Sequence, residues 1–483
     1  MKKNSLTTAV VAGIAGVAGF AGLANAVDLN PDGLGQVLIY PYYTVNKSQD
    51  SLFTVVNTDA VNGKAVKVRF LEGYNSREVL DFNLFLSPND VWTARVSQIS
   101  DDGGAAVHTS DASCTTPAIP AGGQPFSDLT YTGGSIAPFN VPDDGPQDIT
   151  RTREGYLEII SMGDIIPGSP LDGAITHVNG VPPGCGSAVT EGEAPADYLT
   201  PPSGGLFGAG VVVNVGEGTF FPYNADAIDG FTDTTLFFGS SALEPSLQNA
   251  NTAALAGGAR AYVFINGQLL TADYALGVDA VSAVFMADAL YNEYLVAPGL
   301  GANTDWIVTF PTKRFYVDGL AYGGTPRAPF VEEFDGASNV VIGIDMYDQE
   351  EGHVTEEEGF SPPAGEVRNS LPYEVNVISF LANTGVGDPS GVLGSFLRPN
   401  INPFSDAGWL RLDLNPAAEP HALPGGVTTT GTATLNGLPA TGHMGYNIIN
   451  ANAQPGALAN YGGLFRHRAS RSCVSTGTDV ACS

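Results

Sequence analysis

Short runs in which apolar and polar residues alternate are the feature that most constrains this fold. Successive side chains of a β-strand point to opposite faces, so alternation with a period of two predicts a strand with one buried face. In the run AVKVRFLE at 65–72, Val66, Val68 and Phe70 share one face and the two basic residues take the other. The run VLDFNLFL at 79–86 repeats the pattern. Such runs, separated by turn residues, predict antiparallel β-sandwich domains of immunoglobulin-like or jelly-roll-like form.

Sixty glycines and 33 prolines favour turns and loops over long helices. One short helix is predicted at 281–296, where apolar residues recur at helical spacing. The fold class is therefore mainly β, with long Gly/Pro-rich loops and one short helix. Further strands are predicted at 37–45, 52–57, 91–96, 155–162, 206–215, 235–239, 259–266, 306–310, 314–317, 339–346, 374–380, 409–414 and 445–449.

The first 26 residues have the three parts of a cleavable secretory signal peptide. Met1-Lys2-Lys3 is positive, residues 9–23 are uncharged and apolar, and Ala24-Asn25-Ala26 offers a small-residue cleavage site. The apolar stretch is shorter than the roughly 20 residues that span a bilayer. We therefore expect export, cleavage after Ala26, and a secreted or surface-exposed mature chain without an integral membrane segment.

Cleavage of 26 residues from 483 would leave 457, a length that predicts more than one domain. We expect a β-sandwich region at 27–328, a C-terminal β domain at 329–463 and a basic, disulfide-closed tail at 464–483. Gly, Ser, Asp and Pro dominate two stretches of the first region, which predicts long insertions at 100–150 and 163–205.

The cysteines are even in number, as is typical of disulfide-bonded exported proteins. Three pairings are possible, and the short separation of the last two favours a closed C-terminal loop between them. Pairing the first two would connect the two long insertions. We predict two disulfides, without fixing their connectivity, from Cys114, Cys185, Cys473 and Cys482.

Acidic residues greatly outnumber basic ones. Without Lys2 and Lys3, 18 basic residues face 50 acidic ones, a balance that repels nucleic acid and attracts cations. Calcium takes six to eight oxygen ligands, which an acidic loop at 345–358 could supply. The alternative is a solvated charged loop. The candidate Ca²⁺ ligands are Asp345, Asp348, Glu350, Glu351, Glu356, Glu357 and Glu358.

Two segments are candidates for contacts with neighbouring molecules. Pro41 cannot donate to a β-ladder, so we expect residues 37–45 to form an edge strand. Such a strand could add to a neighbour's sheet, and the alternative is pairing within its own sandwich. The basic tail could dock on an acidic neighbour. The candidate assembly residues are Val37, Leu38, Ile39, Tyr40, Arg466, Arg468 and Arg471.

Motifs of known reaction centres, such as HExxH, GxSxG and GxGxxG, do not occur in the sequence. None of the six histidines lies within five residues of another. We therefore expect no catalytic residue and no enzyme activity. Aromatic residues interleave with polar ones at 38–46, and Trp92, Trp306 and Trp409 stand singly. Exposed, these rings would suit sugar stacking; the alternative is packing in the core.

Four stretches together resemble uncharacterised proteobacterial secreted or cell-surface proteins. They are GLGQVLIYPYYTV at 33–45, NSREVLDFNLFLSPNDVW at 75–92, TDWIVTFPTKRFYV at 304–317 and NGLPATGHMGY at 436–446. The resemblance covers most of the mature chain. It implies a surface-exposed location and carries over no catalytic residue.

These observations favour a secreted structural protein of the bacterial surface, such as a surface-layer, matrix or fibre component. Its partners would be further copies or other surface components, with divalent cations bridging carboxylates. The alternative is a secreted carbohydrate-binding or adhesive protein that recognises glycans. A secreted hydrolase acting through paired carboxylates ranks third.

Overall fold

The computed structural model describes residues 26–188, 195–252, 258–322, 325–356, 369–380, 388–449 and 460–482. Apart from Ala26, the predicted signal peptide lies outside these residues. Ala26 and Val27 are buried, and the Val27 amide donates a hydrogen bond of 2.8 Å to the Arg260 carbonyl.

The strands are numbered in chain order. The first sixteen are β1 (Asp28–Leu29), β2 (Val37–Thr44), β3 (Asp50–Asn57), β4 (Gly63–Glu72), β5 (Glu78–Leu86), β6 (Val91–Gln98), β7 (Ala105–His108), β8 (Cys114–Thr116), β9 (Gln124–Pro125), β10 (Glu154–Ile165), β11 (Leu199–Thr200), β12 (Leu206–Asn214), β13 (Thr219–Asn224), β14 (Asp226–Asp229), β15 (Ala259–Ile265) and β16 (Gln268–Tyr274). The others are β17 (Met286–Ala287), β18 (Ala289–Leu295), β19 (Ala302–Thr309), β20 (Val340–Val341), β21 (Gly343–Asp348), β22 (His353–Glu356), β23 (Ser370–Leu371), β24 (Val375–Ser379), β25 (Ala407–Asp413), β26 (Ala422–Val427), β27 (Thr432–Asn436), β28 (Leu438–Pro439), β29 (His443–Ile449), β30 (Asn460–Arg466), β31 (Arg468–Ser470) and β32 (Cys473–Ser475).

The helices are short. The α-helices are α1 (Leu129–Thr132), α2 (Pro170–Ile175), α3 (Cys185–Ala188), α4 (Gly277–Phe285), α5 (Arg314–Val317) and α6 (Gly319–Tyr322). Single 3₁₀ turns occupy Asn46–Ser48, Ile149–Arg153, Pro195–Tyr198, Leu247–Asn249, Pro298–Leu300 and Val480–Cys482. None of the helices in the described ranges is long and apolar enough to cross a membrane.

The strands form five larger sheets and two strand pairs, β17–β28 and β20–β23. Sheet 1 has the order β1-β14-β2-β10-β4-β5-β8, with β11 beside β10, and Sheet 2 the order β13-β12-β3-β6-β7-β9. Sheet 3 is β15-β16-β26-β27-β32, Sheet 4 is β22-β21-β25-β18-β31, and Sheet 5 is β24-β19-β29-β30. Neighbouring strands within them are antiparallel, for example β4 with β10 and β18 with β25. The predicted mainly β, antiparallel fold class is confirmed; its immunoglobulin-like or jelly-roll-like form stays a prediction.

Sheet 1 is buried on both faces. One face packs on Sheet 2 around Leu38, Val68 and Trp92. The opposite face of β2 packs through Val37 and Ile39 on Sheet 3 and α4. A third apolar cluster fills the space between Sheets 4 and 5. Sheet 2, whose strands lie between Asp50 and Asn224, covers one face of Sheet 1, and Sheet 3 and α4, which follow residue 258, cover the other.

β2 lies inside Sheet 1, so the prediction of an edge strand at 37–45 is wrong. The strand pairs with β14 on one side and with β10 on the other, and Val37, Leu38, Ile39 and Tyr40 are fully buried. The ladder to β10 shifts register beside Pro41, and the ladder to β14 ends before it. This irregularity accommodates the missing N–H, which is why proline is tolerated in an interior strand. The four residues therefore offer no free edge to a neighbour.

Three further local predictions are wrong. The predicted helix at 281–296 ends as α4 at Phe285, and the remainder forms β17 and β18 because β25 and β31 pair with β18 on both sides. The predicted strand at 314–317 is helix α5. The segment predicted as a strand at 235–239 forms no strand; it crosses Sheet 1, where the Leu236 amide bonds to the Met162 carbonyl.

Strands from both sides of the predicted boundary at residue 328 share sheets. β18 and β19, which precede residue 328, pair with β25, β24 and β29, which follow it. The tail strands β31 and β32 pair with β18 and β27. The predicted boundaries at 328 and 463 therefore do not separate independent sets of strands.

The two disulfides are Cys114–Cys185 and Cys473–Cys482. The first joins the two predicted insertions, and the second closes the loop of the tail. Two disulfides were predicted, and the structure settles their connectivity.

Candidate functional site

The basic residues that alternate along β4 lie on a buried face of Sheet 1. Lys67 and Arg69 are at most 3% exposed. The Lys67 ammonium donates to the carbonyls of Ser240 and Ala242 at 3.2 and 2.9 Å. The alternation predicted from the sequence is confirmed, but the polar face is covered by protein, so each buried charge needs a partner.

A buried run of ion pairs, the Arg69 chain, crosses this face. Arg69 Nε contacts Glu78 at 2.6 Å, and Arg69 Nη1 contacts Glu158 at 3.1 Å. On its other side Glu158 is 2.9 Å from Arg314 of α5. Two guanidinium groups and two carboxylates balance in charge. Removing one member would leave another buried charge uncompensated, which is strongly destabilising.

The second run, the Arg151 chain, begins at Glu72, the last residue of β4 before the turn to β5. The Glu72 carboxylate accepts the backbone N–H groups of Tyr74, Asn75 and Arg77 at 2.7 to 3.0 Å. Arg151 holds the same carboxylate through two further hydrogen bonds of 2.7 and 3.0 Å. Five donors on one buried carboxylate fix the turn, and with it the side chains that the turn presents.

Beyond Glu72, the Arg151 chain continues through Asp143 to Asn75, Asp318 and Arg77. Arg151 donates two hydrogen bonds of 2.7 Å to Asp143. The amide nitrogen of Asn75 donates to Asp143 at 3.4 Å and to Asp318 at 3.2 Å. Arg77 Nη2 lies 2.9 Å from Asp318, and its guanidinium packs over the Phe139 ring at 4.6 Å.

A cavity of about 420 Å³ opens at this point, and we call it the acidic cavity. Its floor is buried and consists of Asn75, Arg77, Asp143 and Asp318. Its rim carries four exposed carboxylates. The rim residues are Asp144, Glu332, Glu333 and Asp335.

The electrostatics of the floor keep Asp143 ionised. Burial raises the pKa of Asp143, but the hydrogen bonds and charge of Arg151, together with Arg77, outweigh burial and hold the pKa below its usual range. A general acid needs a raised pKa, so Asp143 is unsuited to that role. Fixed carboxylates in a concave site are suited to holding a cation.

The sequence did not indicate this cavity. Its carboxylates come from segments near 143, 318 and 332, and its amide from the β4–β5 turn, so no local spacing brings them together. The one local indication of the cavity in the sequence is the turn Asn75-Ser76-Arg77, which connects the alternating strands β4 and β5.

The acidic stretch at 345–358 lies elsewhere, on Sheet 4. Asp345 accepts a hydrogen bond of 3.0 Å from Arg411. Asp348 closes a turn by accepting the backbone N–H groups of Glu350 and Gly352. Within the described ranges, no group of three or more His, Cys, Asp or Glu residues could hold a metal ion. Glu351 is exposed; the Glu356 side chain, Glu357 and Glu358 lie outside the described part of the chain, and calcium binding here stays a prediction.

The tail arginines are engaged within their own chain. Arg466 lies 2.5 Å from the buried Asp226, and Arg471 donates to the Met286 carbonyl at 2.9 Å. Arg468, the most exposed of the three, lies 3.7 Å from Glu293. Docking of the tail on a neighbour stays a prediction, and Arg468 is its most accessible residue.

The three tryptophans have different environments. Trp92 and Trp306 are buried, whereas Trp409 is 40% exposed on the outer face of Sheet 4. Its ring stacks on Tyr347 at 4.1 Å, and Tyr347 stacks on His353 at 4.3 Å. We call these three residues the aromatic row. Sequence reasoning missed Tyr347 and His353 because they fall within the acidic stretch.

Comparison of the chain with protein-family models, with curated proteins and with solved structures found no match.

Proposed function

We propose that this chain is an exported structural protein of the bacterial surface, a component of a surface layer, matrix or fibre. The observation that carries the proposal is the interlocked body of the fold. Strands from before and after residue 328 share Sheets 3, 4 and 5, and both faces of Sheet 1 are buried. A body of this kind resists local opening because separating its sheets would expose the apolar clusters packed between them.

The buried charges support the same role. Breaking a buried ion pair by removing one partner costs about 3–5 kcal/mol, and the Arg69 and Arg151 chains link several strands through such pairs. The two disulfides suit an oxidising destination and add further constraint on unfolding. Export itself rests on the signal-like N-terminus.

Assembly of the purified protein tests the proposal. Residues 27–483 would be concentrated with calcium or with a chelator, then followed by light scattering and negative-stain electron microscopy. We expect regular sheets or fibres, favoured by calcium because divalent cations bridge carboxylates of adjacent copies. Monodisperse monomers at every concentration, with and without calcium, would contradict the structural role.

A carbohydrate-binding or adhesive role is the second candidate, and the aromatic row favours it. Trp409 presents apolar ring surface to solvent, and Arg411 and Asp345 lie on the neighbouring row of the same sheet face as hydrogen-bonding groups. Sugars bind proteins by placing an apolar ring face on an aromatic ring while polar groups contact the hydroxyls.

A glycan array with matched variants tests this second role. Trp409→Ala should abolish any specific glycan signal, whereas Phe264→Ala, which removes another exposed ring on β15, should leave the signal intact. Equal binding by both variants, or no glycan signal for the unmodified protein, would reject the aromatic row as a glycan site.

A further inference from the structure

The outer face of Sheet 2 departs from the usual pattern of a solvent-facing sheet. An antiparallel sheet with one solvated face normally alternates apolar residues inward with polar residues outward. The inward residues of β3 and β12, such as Phe53 and Val212, pack on Sheet 1. Many of the outward residues of β3, β6 and β12 are also apolar, although they are exposed or partly exposed. We call the following six the apolar face: Leu52, Val56, Val91, Phe207, Val211 and Val213.

The register of the strands makes this face continuous. Phe207 lies opposite Val56, and Val56 lies opposite Val91, so three neighbouring strands contribute to one apolar row. Val211 lies opposite Leu52 in a second row of the same face. Residues directly opposite each other on antiparallel strands have their Cβ atoms about 5 Å apart. The side chains therefore form one patch and are not scattered singly over the surface.

The patch is large enough for a specific interface. Beyond Val213 it continues onto Phe220 of β13, which is 55% exposed. Four strands spaced by about 4.8 Å, with about eight residues along each at roughly 3.4 Å per residue, give an area of about 500 Å² in projection. Two such faces would together bury about 1,000 Å² or more, the area that a specific protein interface needs. Exposed apolar patches of this size commonly mark an interaction site.

Charge favours a second copy of the chain as the occupant. The chain carries a net charge of −30, which repels anionic lipid and nucleic acid. Copies of the chain also repel each other where their acidic surfaces meet, so they associate most readily through a face without net charge. The apolar face carries no charge, and the ion pair at its border, Asp50 with Arg95 at 3.7 Å, is balanced. After a two-fold rotation, Arg95 of one copy can face Asp50 of the other.

We propose that two copies of the chain associate through the apolar face of Sheet 2. Packed sheets lie about 10 Å apart, with their strands within about 30° of each other. A two-fold contact uses the same surface on both copies, so the six residues of the face would be covered by the same six of the second copy. The inference rests on the proposed structural role, in which this dimer is the unit that assembles further.

Sedimentation velocity of residues 27–483 over a range of concentrations tests the inference. We expect a dimer for the unmodified protein. The variant Val91→Glu/Phe207→Glu would bury four unpaired carboxylates in the dimer, so it should weaken dimerisation about 100-fold or more. The milder variant Val91→Thr/Phe207→Thr keeps residues that favour strands and should weaken dimerisation about tenfold through lost apolar area. Circular dichroism would verify that each variant is folded.

The control Val427→Glu/Val474→Glu makes the same change at two exposed valines of Sheet 3 and should dimerise as the unmodified protein does. Equal weakening in the face and control variants would overturn the proposal, as would monomers of the unmodified protein at every concentration. Flotation of monomers with neutral phosphatidylcholine vesicles would assign the face to a lipid surface and overturn it too.

Electron microscopy separates a failure of this inference from a failure of the structural role. Sheets or fibres formed equally by the glutamate face variant would leave the structural role intact and exclude the apolar face from assembly. Dimers that the glutamate face variant abolishes, but that never grow into sheets or fibres, would uphold the inference and contradict the structural role.

Discussion

Single buried charges determine the local geometry around the acidic cavity. Glu72 is the clearest case, because three backbone amides and one guanidinium converge on its carboxylate. Without that carboxylate, the β4–β5 turn would lose the contacts that hold Asn75 and Arg77 beside the cavity. The same carboxylate requires Arg151, since an unpaired buried charge is among the most costly features a protein can contain.

Replacing Arg151 with methionine should therefore be severely destabilising. The change leaves Glu72 and Asp143 without their shared guanidinium, and we expect a loss of about 3–5 kcal/mol in the free energy of unfolding, measured by urea denaturation. The control is Arg95→Met, which breaks an exposed pair with Asp50 at 3.7 Å and should cost less than about 1 kcal/mol. Similar losses for the two variants would show that the Arg151 chain is not a buried ionic unit.

His467 should make the protein sensitive to acid. Burial lowers its pKa to about 3, with His443 adding to the shift. Because the unfolded chain takes up this proton near its ordinary pKa of 6.5, the contribution to stability is complete above that pH and is lost as the pH falls towards 3.

His467→Gln should flatten this pH dependence. A glutamine amide can still donate to the Ile307 carbonyl and accept from Asn292, which are the present partners of the ring. Melting temperatures recorded from about pH 7 to pH 4 should fall more steeply for the unmodified protein, by up to about 1.4 kcal/mol per pH unit in stability. Parallel curves would mean that folding leaves the pKa of His467 near its ordinary value.

At the scale of elements, the sequence predicts most strands but not their surroundings. The alternation of β4 is local, so it could be predicted; the burial of its basic face depends on Glu158 and Arg314, which are distant in sequence. The conformation of β18 likewise depends on residues that are distant in sequence. Its apolar residues fit a helix as well as a strand, and only pairing with β25 and β31 decides between them.

The two disulfides should differ in their contribution to stability. Cys114–Cys185 spans 71 residues and Cys473–Cys482 spans nine. The chain-entropy model then gives about 4 kcal/mol for the first and about 3 kcal/mol for the second. Double serine variants compared by denaturant unfolding should show the larger loss for Cys114→Ser/Cys185→Ser. A larger loss on removing the tail disulfide would contradict this order.

At the scale of the whole molecule, long-range pairing explains what sequence reasoning missed. The predicted domain boundaries followed changes in composition, whereas Sheets 3, 4 and 5 each combine strands from before and after residue 328. The acidic cavity likewise combines residues from four separated segments. Charge balance predicted an affinity for cations, but only the fold shows where carboxylates converge.

The central claim is that these sheets form one interlocked body, and native-state hydrogen exchange of the purified protein tests it most directly. Amides of β19 and β24, which lie on opposite sides of the predicted boundary, should become unprotected together with those of β4 and β10, in a single global opening with one free energy. Early exchange of β19 and β24, with β4 and β10 still protected, would show two independent units and contradict the account.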